Sequence, residues 1–588
     1  MANPTTEELA REWLRLDQDQ VTKDEISKLL EEGNHAELET RLRTRIAFGT
    51  AGLRAKMEAG FARMNSLTVI QASQGLAAYL LDTLPHSRKQ GVVIGRDARH
   101  NSKKFAKLAA AAFVAKGIKV WWYEVPTHTP LVPFGVNELG AAAGIMITAS
   151  HNPAQDNGYK VYWSNGCQII PPHDKGIAAA ISKNLEPVSW DVSVTESSLL
   201  VEGALGLVED TYYKAVRLAS DPLHHLVHHP DHELKYSYTA MHGVGLHFMT
   251  KALENLGVLQ YMSVVQEQAH PDPNFPSVKF PNPEEKGALD MAIHSANRHG
   301  VSLILASDPD ADRLAVAEKV NGEWRQFTGN QLGILLASHI MDTYTKPREK
   351  LAMLASTVSS RMLATMATAE GFHYTETLTG FKWLGNVALD LDTRGYDTRF
   401  AFEEAIGYMI PGVVHDKDAV SAAATFLTAV VKWKQATPPL TPWTKLKHLY
   451  QKYGSFAEAN TYLVSPSPAV TNKIFTAIRG LASPYPSHLG KRKILKWRDL
   501  THGWDSSTKD NKPALPSDPE SQMITVEVEG DVRFTIRASG TEPKIKLYVE
   551  GKAKSIDKAG LAAKEVQEDI VREWLSPEVY GLVAAAAV

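Results

Sequence analysis

The chain has 588 residues, 44% of them hydrophobic, with 63 basic and 66 acidic side chains and a net charge of −3. That balance argues against nucleic acid or an anionic membrane as the main partner, so an anionic ligand must find its positive charge in a local site. A single cysteine, Cys167, excludes an intrachain disulfide and fits a reducing compartment.

At roughly 100–200 residues per domain, the length predicts about three to five domains. The opening stretch MANPTTEELAREWLRLD is acidic and reads as an amphipathic helix. It has neither the apolar core of a signal peptide nor the Arg-rich, acid-poor character of a transit peptide. No apolar run reaches the roughly 18–20 residues needed to span a bilayer. The expectation is a cytoplasmic protein, with the nucleus also open to it.

Short apolar runs occur at VVIG (92–95), KVWWYEV (119–125), GIMIT (144–148), LKYSYTAM (234–241), VSLILAS (301–307) and LAMLAST (351–357). Helical stretches such as SKKFAKLAAAAFVAKG (102–117) separate them. This alternation predicts βαβ units and mostly parallel sheets. The C-terminal part reads differently. ITVEVEGDVRFTIRASG (524–540) suggests two strands joined at EGD, then the strand KIKLYVEGK and a long helix. Segments 464–468 and 505–520 read as loops, and the terminal AAAAV as frayed. The predicted fold is three consecutive α/β sandwich domains with mixed or parallel sheets, 1–205, 206–325 and 326–455, followed by a smaller α+β domain, 456–588.

DPDADR (308–313) directly follows the run VSLILAS. On an extended chain, carboxylates at i, i+2 and i+4 project to one side, and their repulsion calls for a cation. Hard oxygen donors suit Mg²⁺. An EF-hand loop would need Gly sixth and Glu twelfth, where Arg313 and Lys319 stand. A dehalogenase-type phosphatase, with Asp308 as covalent carrier, would want Thr or Val where Asp312 stands. A solvated acidic turn is the bland alternative.

TASHNP (148–153) follows the strand GIMI, which puts Ser150 at a strand end, where α/β sheets bind ligands. Serine needs activation to act as a nucleophile, and His151 or a metal could supply it. An ST-turn before Pro153 is the competing reading. The glycines of GVG (243–245) lack the third member of a dinucleotide fingerprint, and no P-loop signature is present.

Together, TASHNP with DNGYKVYWSNG (156–166) and DPDADR resemble the phosphoserine and metal loops of the α-D-phosphohexomutase superfamily. FGTAGLRAKM (48–57), GRDARHNS (95–102), TAMHGVG (239–245), TLTGFKWLGN (377–386), FEEAIGYMI (402–410) and RASGTEPKIKLYVE (537–550) appear in that family's order. FEEAIGY and PDPNFPSVKFPNPEE are similar to the branch that includes phosphopentomutase, a related phosphoglucomutase and glucose-1,6-bisphosphate synthase.

The resemblance implies a sugar-phosphate mutase working through a phosphorylated Ser150 and a sugar bisphosphate. Asp308, Asp310 and Asp312, with the phosphoserine, would hold one Mg²⁺. Glucose 1,6-bisphosphate or ribose 1,5-bisphosphate would serve as activator. Arg54 and Lys160 would stand near the reacting phosphate, with His151 beside it and Arg313 compensating the triplet. His242 would be structural. Thr379, Gly380, Lys382, Glu403 and Lys417 would contact the sugar. Ala405 stands where phosphoglucomutases carry serine, which makes pentose phosphates plausible substrates. Arg537, Ser539, Gly540, Thr541 and Lys544 would clamp the distal phosphate, with amides in a turn forming an anion nest and Arg gripping bidentately. A monomer acting on small sugar phosphates is expected.

Overall fold

The computed structural model describes residues 4–50, 52–220, 234–539 and 543–584. It divides into two compact units, one of Met1–Asp342 with Gly380–Pro439 and one of Thr343–Thr379 with Leu440–Val588. The terminal AAAAV falls almost wholly outside the described residues.

The first unit opens with three helices, Thr6–Leu16, Gln20–Glu31 and His35–Leu42. Thr5 and Glu8 form a reciprocal capping box that starts the first of them, satisfying two otherwise unpaired backbone amides. Its apolar stripe, Ala10, Trp13 and Leu16, is buried. Trp13 meets Phe61 edge-on at 5.1 Å, fastening the first helix to the loop that holds Phe61.

A six-stranded sheet comes next, in the order Leu53–Lys56, Asp156–Trp163, Ala143–Ile147, Val92–Arg96, Val120–Trp122, Val201–Gly203. The last four strands are mutually parallel, and Asp156–Trp163 runs antiparallel to both of its neighbours. Strands Val92–Arg96 and Ala143–Ile147 are buried throughout, because helices cover both faces of such a sheet. That explains the apolar runs VVIG (92–95) and AGIMI (143–147). Asp156–Trp163 turns back alongside Ala143–Ile147, pairing Lys160 with Met146. The connection between these two strands carries Ser150.

A second sheet has the order Glu323–Gln326, Leu314–Val320, Leu303–Ser307, Tyr236–Thr239, Met262–Val264. Its central strand Leu303–Ser307 is fully buried and delivers the chain into DPDADR. The hairpin of Asp397–Glu403 with Gly407–Met409 also belongs to this unit.

In the second unit, Leu351–Ser356 and His373–Thr377 pair in parallel across the helix Met362–Glu370. The C-terminal sheet is antiparallel through Arg492–Asp499, Met523–Val528, Val532–Ala538 and Lys544–Ala553. Alternate residues of Lys544–Ala553 are buried, facing a core that includes Ala563, Val566 and Ile570 of the helix Ile556–Ile570. The expected class stands: α/β architecture is followed by a smaller α+β domain. No helix among the described residues is long and apolar enough to cross a membrane.

Candidate active site

Ser150 sits at the tip of the connection after Ala143–Ile147, with φ +55°. Its backbone N–H donates to Thr148 Oγ1 at 2.9 Å. Its side chain is buried, with Oγ donating to Asp308 Oδ2 at 3.0 Å and lying 3.2 Å from His151 Nδ1.

The acidic triplet converges, but by a different route from the one its spacing suggests. The chain leaves the strand at Ser307 and turns at once: Ala311 has φ +50°, and its N–H bonds to Asp308 O at 2.9 Å. A tight turn, not an extended strand, gathers the carboxylates. One oxygen from each lies within 4.8 Å of the others, and all three residues are fully buried.

Some of the six carboxylate oxygens already have donors. Asp308 Oδ1 accepts the N–H groups of Asp312 and Arg313 at 3.2 and 3.0 Å. Asp310 Oδ2 accepts from Thr129 Oγ1 at 2.6 Å and Lys160 Nζ at 2.7 Å. Asp312 Oδ2 accepts from Lys160 at 2.9 Å and also from Lys417. Asp310 Oδ1 and Asp312 Oδ1 are buried with no hydrogen-bond partner. Buried anionic oxygens without donors are costly, and a hard divalent cation is the group that fits them.

Electrostatics agree with that fit. Burial, then repulsion from Asp310 and Asp312, pushes Asp308 well above the usual carboxylate range. Burial would also raise Asp310, but Lys160 and Lys417 hold it well below. Burial alone would lower Lys160, yet Asp310 and Asp312 raise it, so it stays a cation. Burial, followed by Arg313 and Arg54, drives His151 well below its ordinary value and keeps the imidazole neutral.

Around this centre, Arg54 is exposed and donates to Asn152 Oδ1 at 3.3 Å. Gly52, two residues earlier, has φ +74°, and a Cβ there would come within 1.8 Å of Tyr159 O. Only glycine lets the chain entering the Arg54 strand lie this close to the Lys160 strand. Arg313 Nη1 donates to Ala405 O at 2.9 Å, tying the triplet to the FEEAIGY hairpin. Glu403 Oε1 accepts the Gly380 N–H at 2.5 Å, and Lys382 contacts Thr50 Oγ1. Lys417 is buried on the triplet. His242 bonds Ser277 Oγ at 2.7 Å, in a segment 35 positions further along the chain.

In the other unit, Arg537 Nη1 donates to Thr379 Oγ1. Ser539 N–H donates to Lys544 O at 2.8 Å, and Lys544 Nζ lies 4.7 Å from the centre of the Tyr462 ring. Gly540 and Thr541 lie outside the described residues.

Four phosphoglucomutase/phosphomannomutase models match in order: α/β/α domain I at 45–187, domain II at 212–322, domain III at 328–453 and the C-terminal domain at 509–568. The chain belongs to the phosphoglucomutase/phosphomannomutase family. It is 48% identical to a probable phosphoribomutase of Schizosaccharomyces pombe, over 99% of each chain. It is 44% identical to a human phosphopentomutase, over 92% of this chain and 90% of that one. To the human glucose 1,6-bisphosphate synthase it is 39% identical, over 99% and 96%. The protein is a sugar-phosphate mutase of this family, built as three α/β/α domains and a C-terminal domain. Its buried Asp308, Asp310 and Asp312 are consistent with the family's metal site.

Two polar residues at this centre carried no role in the sequence. Thr129, in PTHTP, braces Asp310 from a distant loop, and nothing in its local sequence announces this. Arg99, in GRDARHNS, reaches the carbonyls around Ser150. Its motif marked the family without indicating a task.

Proposed function

We propose that this mutase interconverts the 1- and 5-phosphates of ribose and deoxyribose, and more broadly the 1- and 6-phosphates of glucose. A phosphorylated Ser150 and a sugar bisphosphate would be the intermediates. The observation that carries the reading is the Ser150 hydroxyl, 3.0 Å from Asp308 and beside two carboxylate oxygens without donors. The pentose preference is supported by Ala405, which offers no hydroxyl to a hexose, and by the higher identity to phosphoribomutase and phosphopentomutase than to the bisphosphate synthase.

Asp308, Asp310 and Asp312, with the phosphoserine, would hold Mg²⁺, which supplies charge neutralisation for phosphoryl transfer. Phosphoryl transfer asks the protein mainly for positioning and electrostatic stabilisation. Lys160 and Arg54 orient the reacting phosphoryl oxygens, and Lys160 remains protonated in this setting. His151 Nδ1, neutral and 3.2 Å from Ser150 Oγ, orients that oxygen. Arg313 fixes the FEEAIGY hairpin. Glu403 accepts hydrogen bonds from sugar hydroxyls, with Gly380, Lys382, Lys417 and Thr379 as further sugar contacts. Arg537, Ser539, Gly540, Thr541 and Lys544 hold the distal phosphate. A bisphosphate activator, either glucose 1,6-bisphosphate or ribose 1,5-bisphosphate, would restore phosphate to Ser150.

Glucose-1,6-bisphosphate synthesis is the second reading, favoured by 39% identity over nearly the whole chain. Turnover of ribose 1-phosphate, deoxyribose 1-phosphate and glucose 1-phosphate, with Mg²⁺ and catalytic bisphosphate, tests the first. Activity on the pentoses that Ser150→Ala abolishes supports it. Activity that appears only with a glycolytic bisphosphate donor favours the second.

A further inference from the structure

Ser150 holds a backbone conformation that L-residues adopt reluctantly, φ +55°. Something must hold it there, since Pro153 fixes only its own φ. Arg99 reaches this loop through its guanidinium. Nη2 donates to Ser150 O and Asn152 O, both at 2.6 Å. Nη1 donates to Pro153 O at 2.8 Å and Asp156 O at 3.3 Å. One guanidinium therefore ties four carbonyls between residues 150 and 156, a segment whose backbone is otherwise mostly turn.

Arg99 is itself fixed. Its Nε lies 3.3 Å from Asp97 Oδ2, and its own N–H donates to Asp97 Oδ1 at 2.9 Å, which also accepts from Ser102 Oγ at 2.6 Å. Phe275 places its ring 4.9 Å from the guanidinium carbon. Phe275 is buried, at φ +48°. Beside it, Asn274 Oδ1 meets His100 Nε2 at 2.8 Å. The PDPNF segment thus closes over the GRDARHNS motif and shields the guanidinium from water.

We propose that Arg99, capped by Phe275, is the positioning residue that presents Ser150 for phosphoryl transfer. Both of its Nη atoms are committed to loop carbonyls. It acts by setting the direction of the Ser150 side chain, and Phe275 strengthens its four bonds by excluding solvent. Lysine cannot replace it, because an ammonium has three donors and no planar fork.

This inference rests on Ser150 as the phosphate carrier, and one experiment separates the two claims. Full-length protein is mixed with Mg²⁺ and radiolabelled glucose 1,6-bisphosphate, quenched rapidly, and the label on Ser150 is followed in time. Wild-type protein taking no label at Ser150 overturns the carrier itself. With wild type labelled, Arg99→Lys is expected to label on the order of 100-fold more slowly, as a misplacement of about 1 Å would cause. Half-saturation by the bisphosphate should stay within about threefold, because no substrate contact is removed. Labelling at the wild-type rate, or a loss confined to half-saturation, overturns the proposal. Should Arg99→Lys fail to fold, Phe275→Leu decides. It keeps every hydrogen bond of Arg99 and is expected to slow labelling roughly 3- to 10-fold. An unchanged rate overturns the proposal.

Discussion

Thr129→Val removes one hydroxyl from the carboxylate cluster while nearly conserving side-chain volume. Thr129 Oγ1 donates to Asp310 Oδ2 at 2.6 Å, and Asp310 Oδ1 is the oxygen left without a donor. The hydroxyl thus fixes which face of the carboxylate is offered to a cation. A hydrogen bond to a charged group contributes about 1.5–3 kcal/mol, or roughly 10- to 150-fold in an equilibrium constant. Two contacts survive the change: Lys160 still meets the same oxygen at 2.7 Å, and the residue 129 N–H still meets Asp310 O at 2.9 Å. The effect should therefore fall at the low end, about 10- to 30-fold, within the range for residues that orient metal ligands. The assay is turnover of ribose 1-phosphate against Mg²⁺ concentration. Half-activation should move to higher Mg²⁺ by that factor, with most of kcat recovered at saturation. Half-activation within about threefold of wild type, or a kcat loss that Mg²⁺ does not restore, would refute the assignment of the triplet as the ion's seat.

Other outcomes rest on the same contacts. Burial, then Glu404, pushes the Glu403 carboxyl up to about 7. A raised carboxyl favours folding while protonated, so its contribution is complete below about pH 4 and lost as pH rises towards 7, by roughly 3 kcal/mol at most. Denaturant unfolding of wild type and Glu403→Gln at pH 5 and pH 8 should show the variant gaining relative stability at the higher pH. Glu376 is clasped by Arg498 at 2.8 Å and by Arg533, and the two arginines hold it down at about 2 against burial. Glu376→Ala leaves two largely buried cations unpaired and should destabilise the second unit by about 3–5 kcal/mol, read by hydrogen exchange in the strand Val532–Ala538. Arg537→Ala should raise KM for sugar phosphates well above its effect on kcat, since a distal phosphate grip acts in ground and transition states alike.

The elements near the site were largely legible because the chemistry was local. Fully buried parallel strands such as Val92–Arg96 and Ala143–Ile147 carry continuous apolar runs, VVIG and AGIMI, and TASHNP and DPDADR follow such runs directly. Contacts closed over long separations were not legible. Lys417 reads as a sugar contact or a surface ion pair, yet folding buries it on Asp312, 105 positions away. Thr129 and Asp310 are 181 apart, and no periodicity links them. The turn at Ala311 was hidden too, because alanine seldom adopts a positive φ and its spacing suggested an extended chain. Nor did the sequence reveal that Thr343–Thr379 packs with the C-terminal residues. Arg498 and Arg533 meet Glu376 122 and 157 positions away.

The most direct test of a phosphate-carrying serine is tandem mass spectrometry of peptides from active protein trapped at low temperature. The phosphate should map to Ser150, appear on incubation with sugar bisphosphate and disappear on incubation with excess pentose monophosphate. Phosphate found on Asp308 instead, or full turnover by Ser150→Ala, would contradict the account.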